Sequence, residues 1–298
     1  MACEHETMTD PTRFTVIIPA HNEAAVIERC LETALAGAPE GHETQFIVAA
    51  NGCTDRTVEL ARAAAPDALV LDLAEGSKPL AMNAANAVAL YYPRIYLDAD
   101  VQCDYESLSS LARVLRNPGV MAGSPALKMD LSRCSPAMKS YYRVWQTQPY
   151  VTRNMVGSGC FGLSRAGQEE IGPFPPITGD DIWVHSRFRE EERASVSSSE
   201  NGGDVSFTVS PPRKVSDQIR VETRRRLGNQ ELMKAYPSPH YSGSNSASDL
   251  GLALKRGCSL VDVAIYLAIK AAVRLRVALV KRQQKTIVWE RDETARNI

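Results

Sequence analysis

The sequence predicts an α/β protein built on a mostly parallel, doubly wound sheet. Two observations carry this. Over the first 115 residues, β-rich apolar runs alternate with segments of helical periodicity. The runs end in the turns PAHNE, ANGCTD, GSKP and DAD, at the strand ends where open α/β sheets bind ligands.

Each element has a local reason. Phe14 to Ile18 is apolar and β-rich, and Pro19 ends it. Asn22 is placed to cap a helix from Glu23 to Ala36, in which Ile27, Cys30, Leu31, Ala34 and Leu35 share a face. Phe46 to Ala50 is the second strand. It is followed by the turn Asn51-Gly52-Cys53-Thr54-Asp55 and a helix to Ala65 capped by Thr54. Leu69 to Leu73 is the third strand. Gly76-Ser77-Lys78-Pro79 opens a helix to about Leu90, since Pro suits a first helical turn. Ile95 to Asp100 is the fourth strand, ending in the carboxylates of Asp98 and Asp100, and Asp104 caps the helix that carries Leu108, Leu111 and Leu115.

The second half is less regular. A strand is expected over Met121 to Met129, a helix over Ser135 to Gln148 and a Gly-rich strand over Val156 to Ser164. A polar loop is expected from Glu190 to Asp204, a strand over Val205 to Val209 and a mobile loop over Tyr236 to Asp249.

Composition narrows the class. At 44% hydrophobic and 23% charged the 298-residue chain is neither disordered nor fibrous. A net charge of −1 gives no field that would draw it to nucleic acid, and no nucleic-acid partner is expected. The seven cysteines are scattered and form no CxxC, which argues against a disulfide framework or zinc site and predicts a reducing, cytoplasmic setting. The first ten residues show no secretory pattern, and no run of 18 uncharged apolar residues predicts a bilayer span.

One charge asymmetry stands out. Residues 255–285 hold eight Lys or Arg and one acid, Asp262. Within Ser259 to Lys281, Asp262, Tyr266, Lys270 and Arg274 recur every four residues among apolar positions. The pattern fits a basic amphipathic helix on an anionic membrane, a peripheral contact through 259–285 at the inner face. The same pattern serves a helix packed on protein.

The DAD turn is the chemical signal. Strand alternation aims Asp98 and Asp100 the same way, with Ala99 turned back. Two carboxylates so close call for a cation between them, and Mg²⁺ is commonly held by one or two carboxylates plus a diphosphate.

Together these segments resemble the family 2 glycosyltransferases, of GT-A fold. VIIPAHNE resembles the family's opening strand and nucleotide loop, ANGCTDRT its acidic turn, and SKPLAMNAA the segment before the metal strand. LDAD resembles its DxD, GDDIW its acidic pair, and ETRRRLGN a variant of its Arg-Trp motif. The likeness runs from Phe14 to Asn229, about 70% of the chain. The chain departs from the pattern at Ala50 and Asn51, where the family has two carboxylates, and at Leu227, where it has Trp.

The resemblance implies a GT-A sheet flanked by helices over 12–230, with a nucleotide-sugar half at 12–117 and an acceptor half at 118–230. A loop and the amphipathic helix would follow at 231–298. It implies metal-dependent, inverting transfer of a sugar from a nucleoside diphosphate donor to an acceptor hydroxyl. Asp100 and Asp98 would hold Mn²⁺ or Mg²⁺, and Asp181, with Asp180 beside it, would be the base. Pro19, Ala20, His21, Glu23, Asn51, Lys78 and Asp98 would line the donor. The runs Arg213-Lys214 and Arg224 to Arg226 would meet a diphosphate or anionic acceptor. Two rivals stay open: a nucleotide-binding protein of the same fold with weak catalysis, and a sugar-phosphate nucleotidyltransferase.

Overall fold

Strand β1 (Thr15–Ala20) is buried along its whole length, and the sheet grows outward from it. The structure is a computed structural model that describes residues 12–176, 179–238, 240 and 247–282. β1 pairs in parallel with β2 (Gln45–Asn51) on one side and with β4 (Arg94–Leu97) on the other. β3 (Leu69–Leu73) continues the parallel set beyond β2. The polarity changes past β4. β7 (Cys160–Leu163) runs antiparallel to it, and β6 (Ala122–Met129) runs antiparallel to β7.

Besides β7, the long strand β6 serves two further partners. Its first half pairs in parallel with β8 (Arg193–Val196), and its second half with β9 (Ser206–Val209). The short β5 (Gln102–Cys103) closes this end against β9. The sheet order is thus β3-β2-β1-β4-β7-β6-β9-β5, with β8 branching from β6.

Side-chain alternation along the strands gives the sheet two apolar faces. Val16, Ile18, Val48 and Ile95 pack with α1 (Ile27–Leu35), α2 (Thr57–Ala64) and α4 (Tyr105–Val114). Ile17, Ile47 and Tyr96 pack with α3 (Lys78–Val88) and α8 (Asp180–Arg187) on the other face. The buried side chains of α1, α3 and α4 recur at three- and four-residue spacing, which turns each helix's apolar stripe to the sheet.

Helix starts follow the chemistry of their caps. The Ser77 hydroxyl accepts from Leu80 N–H with Pro79 in the first turn, and Asp104 accepts from Ser107 N–H. Ser135 caps α5 (Pro136–Trp145) and Ser164 caps α7 (Arg165–Ile171) in the same way. α5 ends at Trp145, short of the expected Gln148, and a separate short helix α6 (Pro149–Thr152) follows, its first residue a proline that has no backbone donor to continue α5.

Three other expectations are corrected. Asn22 does not cap α1; it takes a positive φ of 53°, the helix begins at Ile27, and the Asn22 carboxamide accepts from Thr54 N–H instead. Asp55, not Thr54, serves the start of α2, its carboxylate accepting from Thr57 N–H. The polar loop over Glu190 to Asp204 contains β8, whose ladder to β6 orders a segment with little apolar signal.

Beyond the sheet, α9 (Val215–Ala235) runs through the expected boundary at 230. α11 (Leu260–Arg282) lies against α5 and α9, and Tyr141 and Tyr266 stack at 5.2 Å between their centroids. α10 (Ala247–Lys255) precedes it. Of the expected loop over Tyr236 to Asp249, residues 239 and 241–246 lie outside the described residues, as do 283–285, and α10 already begins at Ala247, inside the expected loop.

The β7–α7 junction is closely packed. A Cβ on Gly167 would lie 2.0 Å from the Met121 carbonyl oxygen, which already accepts from Ser164 N–H. Gly167→Ala is expected to lower the free energy of unfolding by about 3 kcal/mol, as backbone must shift to admit the methyl. Gly251→Ala, in an open helical position, is the control and should be neutral or slightly stabilising. Urea midpoints compare the two; an unchanged midpoint for Gly167→Ala would show that the junction yields freely.

Candidate active site

The carboxyl ends of β1 and β2 meet in one hydrogen-bonded patch. Asn51 Nδ2 donates to the carbonyls of Ala20, at 2.9 Å, and Ala49. The His21 ring contacts the Asn51 carbonyl and lies over Gly76, where a Cβ would sit 3.3 Å from the ring. Gly52, at φ 56°, passes so close to Gly76 that a Cβ there would be 2.7 Å from its nitrogen. Pro19, Ala20, His21, Asn51 and the turn before Lys78 therefore form one wall. Glu23 belongs to it less directly. Its N–H donates to Thr57 Oγ1 at 2.7 Å, and the residue is only 7% exposed.

The second wall forms where β4 ends. The fourth strand ends at Leu97 and not at Asp100, so Asp98 and Asp100 are placed by a turn rather than by strand alternation, both half-buried with Ala99 buried between them. The turn is fixed by Asp98 N–H donating to the Gly159 carbonyl and Val101 N–H to the Asp98 carbonyl, at 2.8 and 3.0 Å. Opposite stands the first turn of α8, with Asp180 and Asp181.

Lys78 joins the two. Its ammonium lies 2.6 Å from Asp98 Oδ1 and 2.8 Å from Asp180 Oδ2. The Asp180 contact is off the hydrogen-bonding direction, so that buried oxygen is compensated in charge without a hydrogen bond. Burial works against the Lys78 ammonium, but Asp180, Asp98 and Asp181 outweigh it and hold it firmly protonated.

The carboxylates feel the opposite balance. Burial, relieved by Lys78 and aggravated by Asp180, Asp100 and Asp181, pushes Asp98 up to about 7. Burial and Asp180 also raise Asp181. Asp181 is not the cap of its own helix: Gly179 holds that place, and the Asp181 carboxylate accepts from Ser158 N–H at 2.9 Å. Gly157, at φ 122°, makes this possible, since a Cβ there would lie 2.8 Å from Asp181 Cβ. A single short loop thus spans from Asp181, through Gly157 and Ser158, to the Asp98 turn at Gly159.

Three contributors escaped the sequence reading. Ser158 was hidden in a glycine-rich run. His185 sits one turn after Asp181, and its Nδ1 accepts from Val156 N–H at 3.3 Å. Arg193, on β8, places Nη1 2.6 Å from the same nitrogen. The spacing of Asp181 and His185 was the one available signal, since residues four apart share a helix face. Arg225, from the basic run on α9, is half exposed and pairs loosely with Glu222 at 3.8 Å, while its charge reaches Asp181. Arg213 lies before α9, where its carbonyl accepts from Ser135 N–H.

The donor set suits a hard cation. Oxygen ligands crowd together, one buried Asp180 oxygen has no hydrogen bond, and the one cation between them is a lysine. Among the described residues, no three acidic, His or Cys side chains gather tightly enough to hold a metal alone. One or two carboxylates would need oxygens from another molecule to complete a shell.

The model of the glycosyl transferase family 2 matches residues 15–170, more than half of the chain. The chain belongs to this family. It is a glycosyltransferase, and the matched span includes the Asp98 turn but stops short of Asp180. Comparison with curated protein sequences gives no significant match. Among solved structures, a mannosyltransferase from Pyrobaculum calidifontis, in complex with GDP-mannose and Mn²⁺, is 20% identical with a TM-score of 0.56. The match covers 92% of this chain and 81% of that one. Glucosyl-3-phosphoglycerate synthase from Mycobacterium tuberculosis, with Mn²⁺, UDP and glucosyl-3-phosphoglycerate, is 19% identical with a TM-score of 0.54, over 78% of this chain and 83% of that one. These likenesses establish the GT-A fold.

The His185 clamp gives the glycosyltransferase a pH dependence. Burial, then the Arg193 guanidinium, hold the imidazole neutral and lower it to about 4. The unfolded chain takes up this proton near the usual 6.5 while the folded protein does not. Stability from this group is therefore complete above pH 6.5 and is lost as pH falls from 6.5 toward 4. Melting temperatures across that range are expected to fall more steeply in the wild type than in His185→Gln. Parallel curves would mean the imidazole is not held neutral.

Proposed function

We propose that this glycosyltransferase moves a sugar from a nucleoside diphosphate donor to an acceptor hydroxyl, with inversion and in dependence on Mn²⁺ or Mg²⁺. The observation that carries this is the meeting of two acidic pairs, one from the end of β4 and one from the start of α8, around the Lys78 ammonium. Solved structures of the same fold hold nucleotides with Mn²⁺ or Mg²⁺, which supports the same assignment.

Asp98 and Asp100 are the residues that would hold the metal, with diphosphate oxygens filling its shell. The metal, when bound, supplies charge stabilisation to the leaving diphosphate. Lys78 adds a positive charge from the same side. Pro19, Ala20, His21 and Asn51 shape the donor wall, and Glu23, being nearly buried, steadies that loop.

Asp181 takes the proton from the acceptor hydroxyl. The acceptor oxygen bonds to the anomeric carbon as the bond from that carbon to the phosphate oxygen breaks, and the nucleoside diphosphate leaves with the electron pair. Burial and Asp180 make Asp181 a stronger base than a free carboxylate. Ser158 N–H fixes one of its oxygens and leaves the other for the hydroxyl. Asp180, bound to Lys78, orients rather than abstracts.

Transfer assays with UDP- and GDP-sugars and Mn²⁺ or Mg²⁺ test this. Asp181→Asn is expected to lower turnover by roughly 10²- to 10⁴-fold while donor affinity is kept. Asp100→Ala is expected to abolish the rise in melting temperature that donor plus metal produces. If neither substitution changes turnover while nucleotide binding persists, these roles are wrong. Donor binding without transfer by the wild type would leave a nucleotide-binding protein. Formation of a nucleotide-sugar from nucleoside triphosphate and sugar phosphate would make it a nucleotidyltransferase.

A further inference from the structure

Asp262, Tyr266 and Lys270 of the α11 polar row face inward. Asp262 and Tyr266 are 3% and 2% exposed. Asp262 accepts from Arg143 Nη1 at 2.8 Å and from Ser259 N–H, and Lys270 places its ammonium 2.8 Å from both oxygens of Glu222. Three of the four residues that made the helix look amphipathic are thus bound to α5 and α9, Tyr266 by its stack on Tyr141, while Arg274 is exposed. What the helix turns outward is a mainly apolar stripe.

Leu260, Ala264, Leu267, Ala268, Ala271, Leu275, Ala278 and Leu279 are all exposed, at spacings of three and four. Leu260 is 75% exposed, Val261 65% and Leu275 64%. At 1.5 Å per residue the stripe runs for roughly 29 Å. Among the described residues no helix is long and apolar enough to cross a membrane. An unbroken apolar stripe of this length on a surface marks a contact site.

Charge selects the occupant. At 100° per residue, Arg274 and Lys281 border one edge of the stripe, Arg276 borders the other and Arg282 ends it. Exposed Lys255 and Arg256 lie just before its start. The sole acid of α11, Asp262, is buried in its pair with Arg143. A second copy docked on the same face would bring these cations against their own kind. An anionic lipid surface would take the leucines into its acyl boundary and neutralise the cations beside them, whose long stems let the charges reach the headgroups.

We propose that the outward leucine stripe of α11, with its bordering arginines and lysines, docks the protein on an anionic membrane surface. The helix lies in the plane of the interface, and its inner face stays on α5 and α9. Docking through this face stands independently of the transfer chemistry assigned above.

The full-length protein is pelleted with vesicles of pure phosphatidylcholine and with vesicles of phosphatidylcholine mixed with phosphatidylglycerol. Wild type is expected to sediment with the mixed vesicles and to remain in solution with the neutral ones. Leu267→Asp with Leu275→Asp should lower binding by roughly tenfold or more, because two buried leucines are replaced by charges. Arg274→Gln with Lys281→Gln should lower it by roughly tenfold and lessen its sensitivity to salt. Unchanged melting temperatures would show that the variants fold. Equal sedimentation of wild type and the leucine variant, equal binding to both vesicle types, or binding to neither would each overturn the proposal. So would a wild-type dimer in light scattering that the leucine variant turns to monomer, since the face would then belong to a second copy.

Discussion

The arrangement depends on one ammonium. Lys78 stands between carboxylates from two distant segments, at hydrogen-bonding distance from both. Burial and the neighbouring carboxylates raise Asp98 and Asp181, and the Lys78 ammonium works against that rise in both. With Lys78 in place, the four carboxylates still leave a surplus of negative charge that a further cation would relieve. That surplus is a reason for a metal that comes from this chain's own electrostatics. Every loop at the site then has the task of keeping one lysine and four carboxylates at fixed positions.

The scaffold meets that task with small residues and backbone donors. Ser77 caps the helix that carries Lys78, so the ammonium projects from an ordered first turn. The 157–159 segment has no bulk at the two positions where it passes Asp181 and Val101, and its backbone binds both acidic turns. His185 and Arg193 then hold that segment from behind. The Asp181 carboxylate is positioned by a chain of contacts that reaches an edge strand of the sheet.

The first half was legible because its signals are local. Apolar runs, capping residues and turn chemistry placed β1 to β4 and α1 to α4 to within a few residues, and the acidic and basic residues of the cleft stood out as isolated turns. What the sequence could not show is that one ammonium would bridge Asp98 and Asp180, eighty residues apart, because such contacts exist only after the sheet closes. β8 was illegible for a related reason: Arg193 to Val196 has weak apolar character and is ordered by its neighbour β6. On α11 periodicity gave the faces correctly but not their direction. Polar residues turn inward when partners such as Arg143 and Glu222 await them, and a pattern of spacing carries no information about partners.

The Lys270–Glu222 pair has a consequence for how the C-terminal helix can be studied. Burial lowers the Lys270 ammonium somewhat, but Glu222 receives it on both oxygens and is held ionised by it. Glu222 also accepts from the Tyr141 hydroxyl and neighbours Arg225, whose charge reaches Asp181. Cutting the chain before α11 would therefore remove the ammonium that holds the buried Glu222 carboxylate, one helical turn from Arg225. A shortened enzyme that lost both membrane recovery and turnover would reveal nothing about whether lipid matters to catalysis. The inner side of the helix is part of the fold, and only changes confined to its outer side leave that packing intact.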